Sequence, residues 1–336
     1  MPESHRLYPL LFTPVLKDYV WGGRGLETKL GRPLPPGIIA ESWEIAAHPD
    51  GASVVANGRF AGLTLTQLHQ QLGLDLIGVH NDWAQQRQKF PLLIKLLDAN
   101  DALSVQVHPN DDYALAHEGN ELGKTEMWVV LQAAPDAAVI LGLSRPTTPA
   151  EFRAAIESGD LSPYLHRIPV QAGDVVCVPS GSLHAILGGL LIAEIQQNSN
   201  TTYRVYDWNR TQNGKARPLH IDRALDVINF QQIQPPLCQP EPLTEPAAVV
   251  GVRRWRLCQN RYFVTERVEM DAGATYQGTC DGRSLEIWGL LDGDVAINTV
   301  GLTAVRFALL PAALGDFVIQ AHVPSTLLRT YVRSPH

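Results

Sequence analysis

One turn-and-strand segment near the middle of the chain has the spacing most suggestive of metal chemistry. It places Gly173, Pro179, Gly181, His184 and Gly188 in the pattern G-x5-P-x-G-x2-H-x3-G. A Pro-x-Gly turn can redirect the chain at the rim of a β-barrel, which re-aims the histidine that follows it. Imidazole is a common metal ligand. The segment therefore predicts a metal pocket on a β-barrel.

Further donors lie upstream, in a stretch that alternates between polar and apolar residues. Successive side chains of a strand point to opposite faces, so Gln106 and His108 share one face and Val105 and Val107 share the other. We expect the valines to pack outward and the polar pair to point into the barrel. The same alternation directs Glu126 inward, where a buried carboxylate needs a cation.

The expected metal ligands are His108, Glu126 and His184, with Gln106 as a neutral fourth ligand. Nitrogen and oxygen donors together suit Zn²⁺, Mn²⁺, Co²⁺ or Fe²⁺ better than Ca²⁺. A single histidine is more often structural than a ligand, but His184 differs because the whole spaced motif surrounds it.

Charged residues on the neighbouring predicted strands are candidates for substrate chemistry. Glu194 and Arg204 lie on adjacent strands. They either form a structural ion pair or face the metal, where they would serve in proton transfer and anion stabilisation. Lys124, which shares the face of Glu126, and Ser104 could hold an anionic substituent. Because no glycine-rich loop leads into a helix, phosphate recognition would depend on separate side chains.

Short strands and a few helices must position these groups. End signals predict helices over 64–73, 148–159 and Asp222–Asn229, the second with Thr148 and Glu151 as a capping box. The predicted strands are Phe90–Leu97, Leu103–His108, Glu126–Leu131, Ala138–Leu141, Val175–Pro179, Leu190–Gln196 and Thr202–Tyr206.

The chain divides at a proline-rich stretch, residues 231–246, which we interpret as a linker because proline can neither continue a helix nor donate to a sheet. The predicted domains are 1–230, which carries the metal site and helical insertions, and 247–336. Two short segments recur across the linker. Glu126–Leu131 resembles Glu286–Leu291, and Gly173–Val176 resembles Gly315–Val318. The recurrence indicates either chance similarity or two barrels of one type, of which only the first has the metal ligands.

Composition excludes several classes of protein. Hydrophobic residues make up 45% of the 336 residues, and the net charge is −7 without a basic run, which argues against a nucleic-acid partner. The four cysteines lack C-x-x-C spacing, so we expect free thiols in a reducing compartment. No signal peptide or long apolar run is evident, so we expect a cytoplasmic protein without a membrane span.

Longer stretches resemble a known family, the type I mannose-6-phosphate isomerases in their short bacterial form. The resemblance covers about residues 8–230 and rests on these segments in order: Glu41–Ile45, Phe90–Ala99, Leu103–Asp111, Gly123–Trp128, Ile192–Asn198 and Thr201–Trp208. The part of the chain beyond them matches more weakly. In addition, Gly188 stands where the general cupin motif often ends in asparagine.

The resemblance implies a mainly β fold of two cupin (jelly-roll) barrels with short helical additions, the N-terminal barrel holding Zn²⁺, with Mn²⁺ or Co²⁺ as alternatives. By position, the family's ligands fall on Gln106, His108, Glu126 and His184. Its active-site arginine falls on Arg204 and its site lysine on Lys124. The implied substrate is a small sugar phosphate.

The implied reaction interconverts mannose 6-phosphate and fructose 6-phosphate through a cis-enediol. Arg204 and the metal would stabilise the intermediate, and either Glu194 or a metal-bound water would move the proton. Three alternatives stay open: an isomerase of a related aldose or sugar phosphate, a cupin dioxygenase, and a sugar-binding cupin without catalysis. The sequence leaves the oligomeric state undetermined.

Overall fold

The computed structural model describes residues 6–212, 215–244 and 250–333. Strands predominate in these ranges, as the sequence predicts. None of the helices found there is both long and apolar enough to cross a membrane.

The strands are short, and many pair with strands distant in the sequence. They are β1 (Leu10–Thr13), β2 (Val15–Lys17), β3 (Glu41–Ile45), β4 (Ala47–His48), β5 (Gly51–Ala52), β6 (Val54–Val55), β7 (Leu92–Ala99), β8 (Val105–Val107), β9 (Glu126–Ala133), β10 (Ala138–Leu143), β11 (Leu165–Pro169), β12 (Val175–Val178), β13 (His184–Ile186), β14 (Leu190–Gln197), β15 (Tyr203–Tyr206), β16 (Thr211–Gln212), β17 (Lys215–Ala216), β18 (Glu241–Pro242), β19 (Val252–Gln259), β20 (Val264–Met270), β21 (Thr275–Cys280), β22 (Glu286–Asp292), β23 (Asp294–Ile297), β24 (Val300–Thr303), β25 (Arg306–Leu310), β26 (Gly315–Ala321) and β27 (Ser325–Tyr331).

The helices are α1 (Gly25–Thr28), α2 (Leu65–Leu72), α3 (Leu74–Ile77), α4 (Asp82–Gln86), α5 (Asp111–His117), α6 (Pro149–Ser158) and α7 (Ile221–Val227). Predicted end signals are confirmed for α2, where Thr64 caps the first turn, and for α6, where Thr148 and Glu151 form the capping box. The third predicted helix corresponds to α7, which begins one residue before Asp222.

The first barrel consists of two facing sheets with the orders β12-β9-β14-β7-β3-β2 and β11-β10-β13-β8-β15. Its interior contains apolar side chains from both sheets, among them Trp128, Leu141 and Ile186. The outer face of the second sheet packs Val105 and Val107 in one cluster with apolar residues of α6 and α7. The predicted outward direction of these two valines is therefore confirmed.

The second barrel has sheets in the orders β18-β19-β20-β27-β22-β25-β1-β6 and β21-β26-β23-β24. Its interior cluster includes Trp288, Phe317 and Ile319. The strands β20–β27 of the second barrel correspond one by one, in chain order, to β7–β14 of the first. The order β12-β9-β14-β7 in the first barrel matches β25-β22-β27-β20 in the second, and the order β11-β10-β13-β8 matches β24-β23-β26-β21. The prediction of two barrels of one type is confirmed.

The strand order confirms one of the two proposed matches between recurring segments and contradicts the other. The match of Glu126–Leu131 with Glu286–Leu291 joins equivalent strands, β9 and β22. The match of Gly173–Val176 with Gly315–Val318 is wrong, because β12 pairs with β9 whereas β26 pairs with β21 and β23. A Gly-Asp turn can introduce any strand, so it does not identify a place in the sheet.

The chain separates into two compact units that alternate along the sequence. One contains 1–15, 43–93 and 239–336 in their described parts, and the other contains 16–42 and 94–238. These ranges differ from those of the predicted domains 1–230 and 247–336, and that division stays a prediction. The change of unit at 238–239 falls within the predicted linker 231–246, of which residues 245 and 246, like 247–249, lie outside the described residues.

The cysteines differ from the expectation of four free thiols. Cys177 on β12 forms a disulfide with Cys238, with the Cα atoms 6.2 Å apart. Cys258 and Cys280 are free and buried. The expectation is therefore wrong for the first pair, because a backbone bridge between Val175 and Cys238 brings distant segments together.

Candidate metal centre

Three of the predicted ligands converge inside the first barrel. Nε2 of His108 lies 3.6 Å from one carboxylate oxygen of Glu126, and Nε2 of His184 lies 3.5 Å from the other. One donor atom from each residue can be chosen so that all three lie within 4.8 Å of one another. All three side chains are buried. Two neutral imidazoles and a carboxylate are a donor set that suits a first-row divalent cation.

Strand pairing accounts for this convergence. His184 begins β13 directly opposite Gln106 of β8, and Glu126 begins β9 at the edge nearest the turn that precedes His184. The amide nitrogen of Gln106 lies 3.3 Å from Nε2 of His184, and the hydroxyl of Ser104 donates to the amide oxygen of Gln106 at 3.2 Å. A reversal of this amide would present its oxygen to the same point.

Both imidazoles are oriented for ligation by backbone carbonyls. Nδ1 of His108 is 2.8 Å from the carbonyl oxygen of Thr201, and Nδ1 of His184 is 2.9 Å from that of Ser182. A carbonyl can only accept, so Nδ1 carries the proton in each ring and Nε2 presents its lone pair toward Glu126. Burial lowers the pKa of His184 to about 4 and holds the pKa of His108 well below its usual range, so both rings are neutral.

Lys124 lies against the ligands rather than apart from them. Its ammonium group is 2.8 Å from a carboxylate oxygen of Glu126 and 3.1 Å from Nε2 of His108. Burial raises the pKa of Glu126, and the charge of Lys124 opposes that shift. In the structure the ammonium group of Lys124 is paired with the carboxylate of Glu126. The expectation that Lys124 and Ser104 hold an anionic substituent stays a prediction.

A cavity of about 270 Å³ opens beside this cluster. It is lined by Tyr19, Trp21, Glu41, Lys95, Leu97, Leu103, Ser104, Gln106, Lys124, Trp128, Ile186, Glu194, Asn200, Thr202, Arg204 and Arg217. Of these lining residues four are cationic and two are acidic, although the whole chain has a net charge of −7. The local surplus of positive charge favours an anionic ligand.

Glu194 and Arg204 both line the cavity, and they do not pair with each other. The carboxylate of Glu194 lies 3.3 Å from the ammonium group of Lys95, which also lies 3.5 Å from Glu41. Burial alone would raise the pKa of Glu194, but the charges of Lys95 and Lys124 lower it below its usual value. Glu194 is therefore an ionised carboxylate at the cavity wall. The alternative of a Glu194–Arg204 ion pair is wrong.

Several lining residues were not assigned from the sequence. Lys95 stands in the otherwise apolar run of β7, and a charge in such a strand signals a buried partner. Its carboxylate partners, Glu41 and Glu194, come from strands far away in sequence. Arg217 follows the short β16–β17 hairpin, where a surface arginine is unremarkable in sequence. Tyr19 and Trp21 precede the Gly22–Gly25 turn.

Comparisons with known proteins identify relatives of this chain and structures that share its fold. A family model described as phosphomannose isomerase type I, catalytic domain, matches residues 10–128. The chain is 39% identical over 318 residues to a Bacillus subtilis protein named probable mannose-6-phosphate isomerase GmuF, covering 93% of this chain and 96% of that protein. It is 45% identical over 229 residues to the mannose-6-phosphate isomerase ManA of the same organism, covering 67% of this chain and 69% of ManA.

The fold matches a solved structure over nearly its full length. A crystal structure of mannose 6-phosphate isomerase from Bacillus subtilis superposes with a TM-score of 0.84 at 32% identity, covering 96% of this chain and 99% of that one. The extent of these matches and the shared two-barrel fold lead to one assignment. The chain belongs to the type I phosphomannose isomerase family.

Proposed function

We propose that this chain is a metal-dependent aldose–ketose isomerase that interconverts mannose 6-phosphate and fructose 6-phosphate through a cis-enediol. The observation that carries the proposal is the convergence of His108, Glu126 and His184 beside a cavity with surplus positive charge. The relatives named mannose-6-phosphate isomerase support the choice of substrate.

The residues fit a divalent cation held by His108, Glu126 and His184, with Gln106 as the fourth ligand. The backbone bonds at Nδ1 leave each Nε2 free to ligate, and the carboxylate supplies the negative charge. Zn²⁺ suits this set, and Mn²⁺ or Co²⁺ are the alternatives. When bound, the ion would act as a Lewis acid toward a sugar oxygen that becomes negative during the reaction.

Glu194 is the proposed base. Isomerisation moves a carbonyl between C1 and C2, which requires removing a proton from the carbon next to the carbonyl and returning it to the neighbouring carbon. A single carboxylate on one face of the cis-enediol can do both. The ammonium group of Lys95 at 3.3 Å keeps Glu194 ionised before the reaction.

Arg204 is the proposed stabiliser of negative charge on the sugar. Arg204 lines the same cavity as Glu194, and its backbone pairs directly with Gln106 across β15 and β8. A fixed cation beside the reacting oxygens stabilises an enediolate more than the neutral sugar, which lowers the barrier.

A coupled assay on mannose 6-phosphate, run before and after chelation and again after metal is added back, tests this function. We expect turnover in the presence of Zn²⁺, its loss on chelation, and its recovery with Zn²⁺, Mn²⁺ or Co²⁺. Solvent deuterium should enter the carbon-bound position that exchanges during isomerisation.

Three outcomes would contradict the proposal. Oxygen consumption with Fe²⁺ and no isomerisation under nitrogen would indicate a cupin dioxygenase. Tight binding of the sugar phosphate with metal bound, but without exchange of the C2 proton, would indicate a sugar-binding protein. Faster turnover of a different aldose or sugar phosphate would replace mannose 6-phosphate as the substrate.

A further inference from the structure

A run of polar residues is fully buried where β14 ends, next to the start of the strand that carries Glu126. Gln196 pairs with Glu126 across the two strands, and Gln196, Gln197, Asn198 and Ser199 are each 0% exposed. Alternation along β14 puts Gln196 and Gln197 on opposite faces of the sheet. Buried polar side chains need hydrogen-bond partners within the protein, so their partners show what they hold in place.

The side chain of Gln197 bridges two segments that each carry a proposed metal ligand. Its amide oxygen accepts from the backbone N–H of Thr125 at 2.9 Å, and Thr125 directly precedes Glu126. Its amide nitrogen donates to a carboxylate oxygen of Asp111 at 3.0 Å, and Asp111 lies three residues after His108. Because a backbone N–H only donates and a carboxylate accepts, both bonds require one orientation of the amide.

Both ends of this bridge are fixed by further bonds. The backbone N–H of Gln197 donates to the Thr125 carbonyl at 3.1 Å, so side chain and backbone together extend the pairing of β14 with β9 beyond Glu126. The Asp111 oxygen that accepts from Gln197 also accepts from the backbone N–H of Gly123 at 2.9 Å. The bridge therefore joins two anchored points.

The turn that follows Gln197 reaches the same ligands by a second route. The carbonyl oxygen of Gln197 accepts from the backbone N–H of Ser199 at 2.7 Å. This turn leads to Thr201, whose carbonyl oxygen lies 2.8 Å from Nδ1 of His108 and orients that ring. Gln197 is thus tied to the group that directs His108 toward the ion site.

Thr125 extends the connection to the third ligand. Its hydroxyl accepts from the backbone N–H of Ser180 at 3.2 Å, in the turn four residues before His184. One buried amide, Gln197, is therefore bonded to positions next to all three segments that bring the ligands together.

We propose that Gln197 is a positioning residue of the metal centre, which sets the spacing between the segments carrying His108 and Glu126 before an ion binds. This inference rests on the metal requirement of the proposed function. Ligands that are already held at their binding distances need not be drawn together by the ion, so the ion binds more tightly. A neutral amide suits this position because it supplies one acceptor and one donor without adding charge beside Asp111.

The test compares Gln197→Met with the wild type and with Asn57→Leu. Methionine has a similar length but forms neither bond. Asn57 is a matched control, because its side chain also joins two backbone segments, accepting from the Leu11 N–H at 2.9 Å and donating to the Pro9 carbonyl at 3.0 Å. In competition with a chelator, Zn²⁺ should bind about tenfold more weakly to Gln197→Met and within about twofold of wild type to Asn57→Leu. The visible absorption of the Co²⁺ form should change only in Gln197→Met.

A double-mutant cycle with Asp111 tests the route of the effect. Asp111→Ala removes the acceptor of the bridge and should weaken Zn²⁺ binding about fivefold, whereas Asp111→Asn keeps an accepting oxygen and should stay within about twofold of the wild type. Because both changes break one bridge, adding Asp111→Ala to Gln197→Met should weaken binding no more than about twofold further. If Gln197→Met does not fold, the contrast between Asp111→Ala and Asp111→Asn makes the same test.

Melting temperatures measured on the same variants separate positioning from a purely structural role. Equal Zn²⁺ affinity in Gln197→Met and the wild type, or an equal loss of affinity in Gln197→Met and Asn57→Leu, would overturn the inference and leave the isomerase proposal intact. Fully additive losses for Gln197→Met and Asp111→Ala would also overturn it. A wild type that binds Zn²⁺ more tightly than Gln197→Met but does not isomerise mannose 6-phosphate would overturn only the proposed function.

Discussion

Glu126 in the first barrel and Glu286 in the second begin equivalent central strands, and each accepts a hydrogen bond from a tryptophan two residues later. The indole nitrogen of Trp128 donates to Glu126 at 3.1 Å, and that of Trp288 donates to Glu286 at 2.8 Å. Both carboxylates are buried. The barrels differ in what compensates this charge.

In the second barrel, an arginine compensates the charge of the buried glutamate. Nε of Arg329 donates to one carboxylate oxygen of Glu286 at 2.9 Å, and NH2 of Arg329 donates to the other. Its NH1 also lies 3.6 Å from Glu266. Burial would lower the pKa of Arg329, but the Glu286 carboxylate raises it, so the guanidinium stays charged. Arg329 pairs with Trp288 across the strands, just as Glu194 pairs with Trp128.

The charges on the equivalent strands are therefore exchanged. In the first barrel β7 carries the cation Lys95 and β14 carries the acid Glu194, whereas in the second β20 carries the acid Glu266 and β27 carries the cation Arg329. In the second barrel, Arg329 neutralises the central glutamate, Glu286. The first barrel has the acid Glu194 at the position equivalent to Arg329, so the charge of Glu126 is compensated by Lys124 and, we propose, by a metal ion.

The remaining ligand positions differ in the same sense. Tyr276 pairs with Ile319 across the second barrel's sheet, just as Gln106 pairs with His184 in the first. Ile319 comes ten positions before Arg329, and His184 comes ten positions before Glu194, so Ile319 corresponds to His184 and Tyr276 to Gln106. Gly278 then corresponds to His108, and a Cβ atom there would lie 2.4 Å from the ring of Phe317. Apolar groups thus fill the space that donors occupy in the first barrel. An internal cation and metal ligands are alternative ways to satisfy one buried carboxylate.

The sharpest test of this comparison replaces each central glutamate by its neutral isostere. Glu126→Gln should lose bound metal and lower kcat/KM by about 10⁴-fold, because both the ligand charge and the Lewis acid are lost. Glu286→Gln should keep its metal and most of its activity. Metal analysis and steady-state kinetics on both variants measure this. Equal metal content in Glu126→Gln and wild type would refute the assignment of Glu126 as a ligand.

Replacing Arg329, the cation inside the second barrel, should destabilise that barrel and leave the metal site of the first barrel intact. Arg329→Met leaves the carboxylate of Glu286 buried without its cation, whereas Glu266 keeps the bond from Arg254 at 2.8 Å, so we expect a loss of about 3–5 kcal/mol in the free energy of unfolding. Arg329→Lys keeps the charge and should lose less. Urea unfolding followed by tryptophan fluorescence measures both. An unchanged midpoint in Arg329→Met would show that Arg329 is not what stabilises the Glu286 carboxylate.

The proposed anion-stabilising residue, Arg204, lies on β15, which extends the sheet of the first barrel beside β8. In the second barrel β21 is the last described strand of its sheet at the equivalent edge. Arg204→Ala should lower kcat/KM on mannose 6-phosphate by about 100-fold, because a fixed charge near the reacting oxygens is lost. Metal content and melting temperature should stay close to those of the wild type. An unchanged kcat/KM would rule out a role for Arg204 in turnover.

Local patterns were enough to predict the groups that converge in the first barrel. Alternation gave the inward direction of Gln106 and His108, and the spacing after Pro179 singled out His184, because both depend only on neighbouring residues. Capping signals predicted α2 and α6 for the same reason.

Partnerships between distant strands could not be read in this way. The pairing of Lys95 with Glu194 depends on β7 lying beside β14, and the disulfide between Cys177 and Cys238 depends on the path of the proline-rich segment. The false match of Gly315 with Gly173 has the same origin, since a turn sequence does not specify which sheet receives the strand.

The smallest expected effect concerns the hydrogen bond that the two barrels share. Trp128→Phe removes the donor that orients Glu126, so metal affinity should fall about tenfold, as is usual when a partner of a metal ligand is lost. Trp288→Phe removes the equivalent donor to Glu286, but Arg329 still holds that carboxylate by two bonds, so only about 1 kcal/mol of stability should be lost. Competition with a chelator measures the first effect and urea unfolding the second. If Trp128→Phe leaves metal affinity unchanged and the two variants lose the same amount of stability, then the two glutamates are not compensated by different cations.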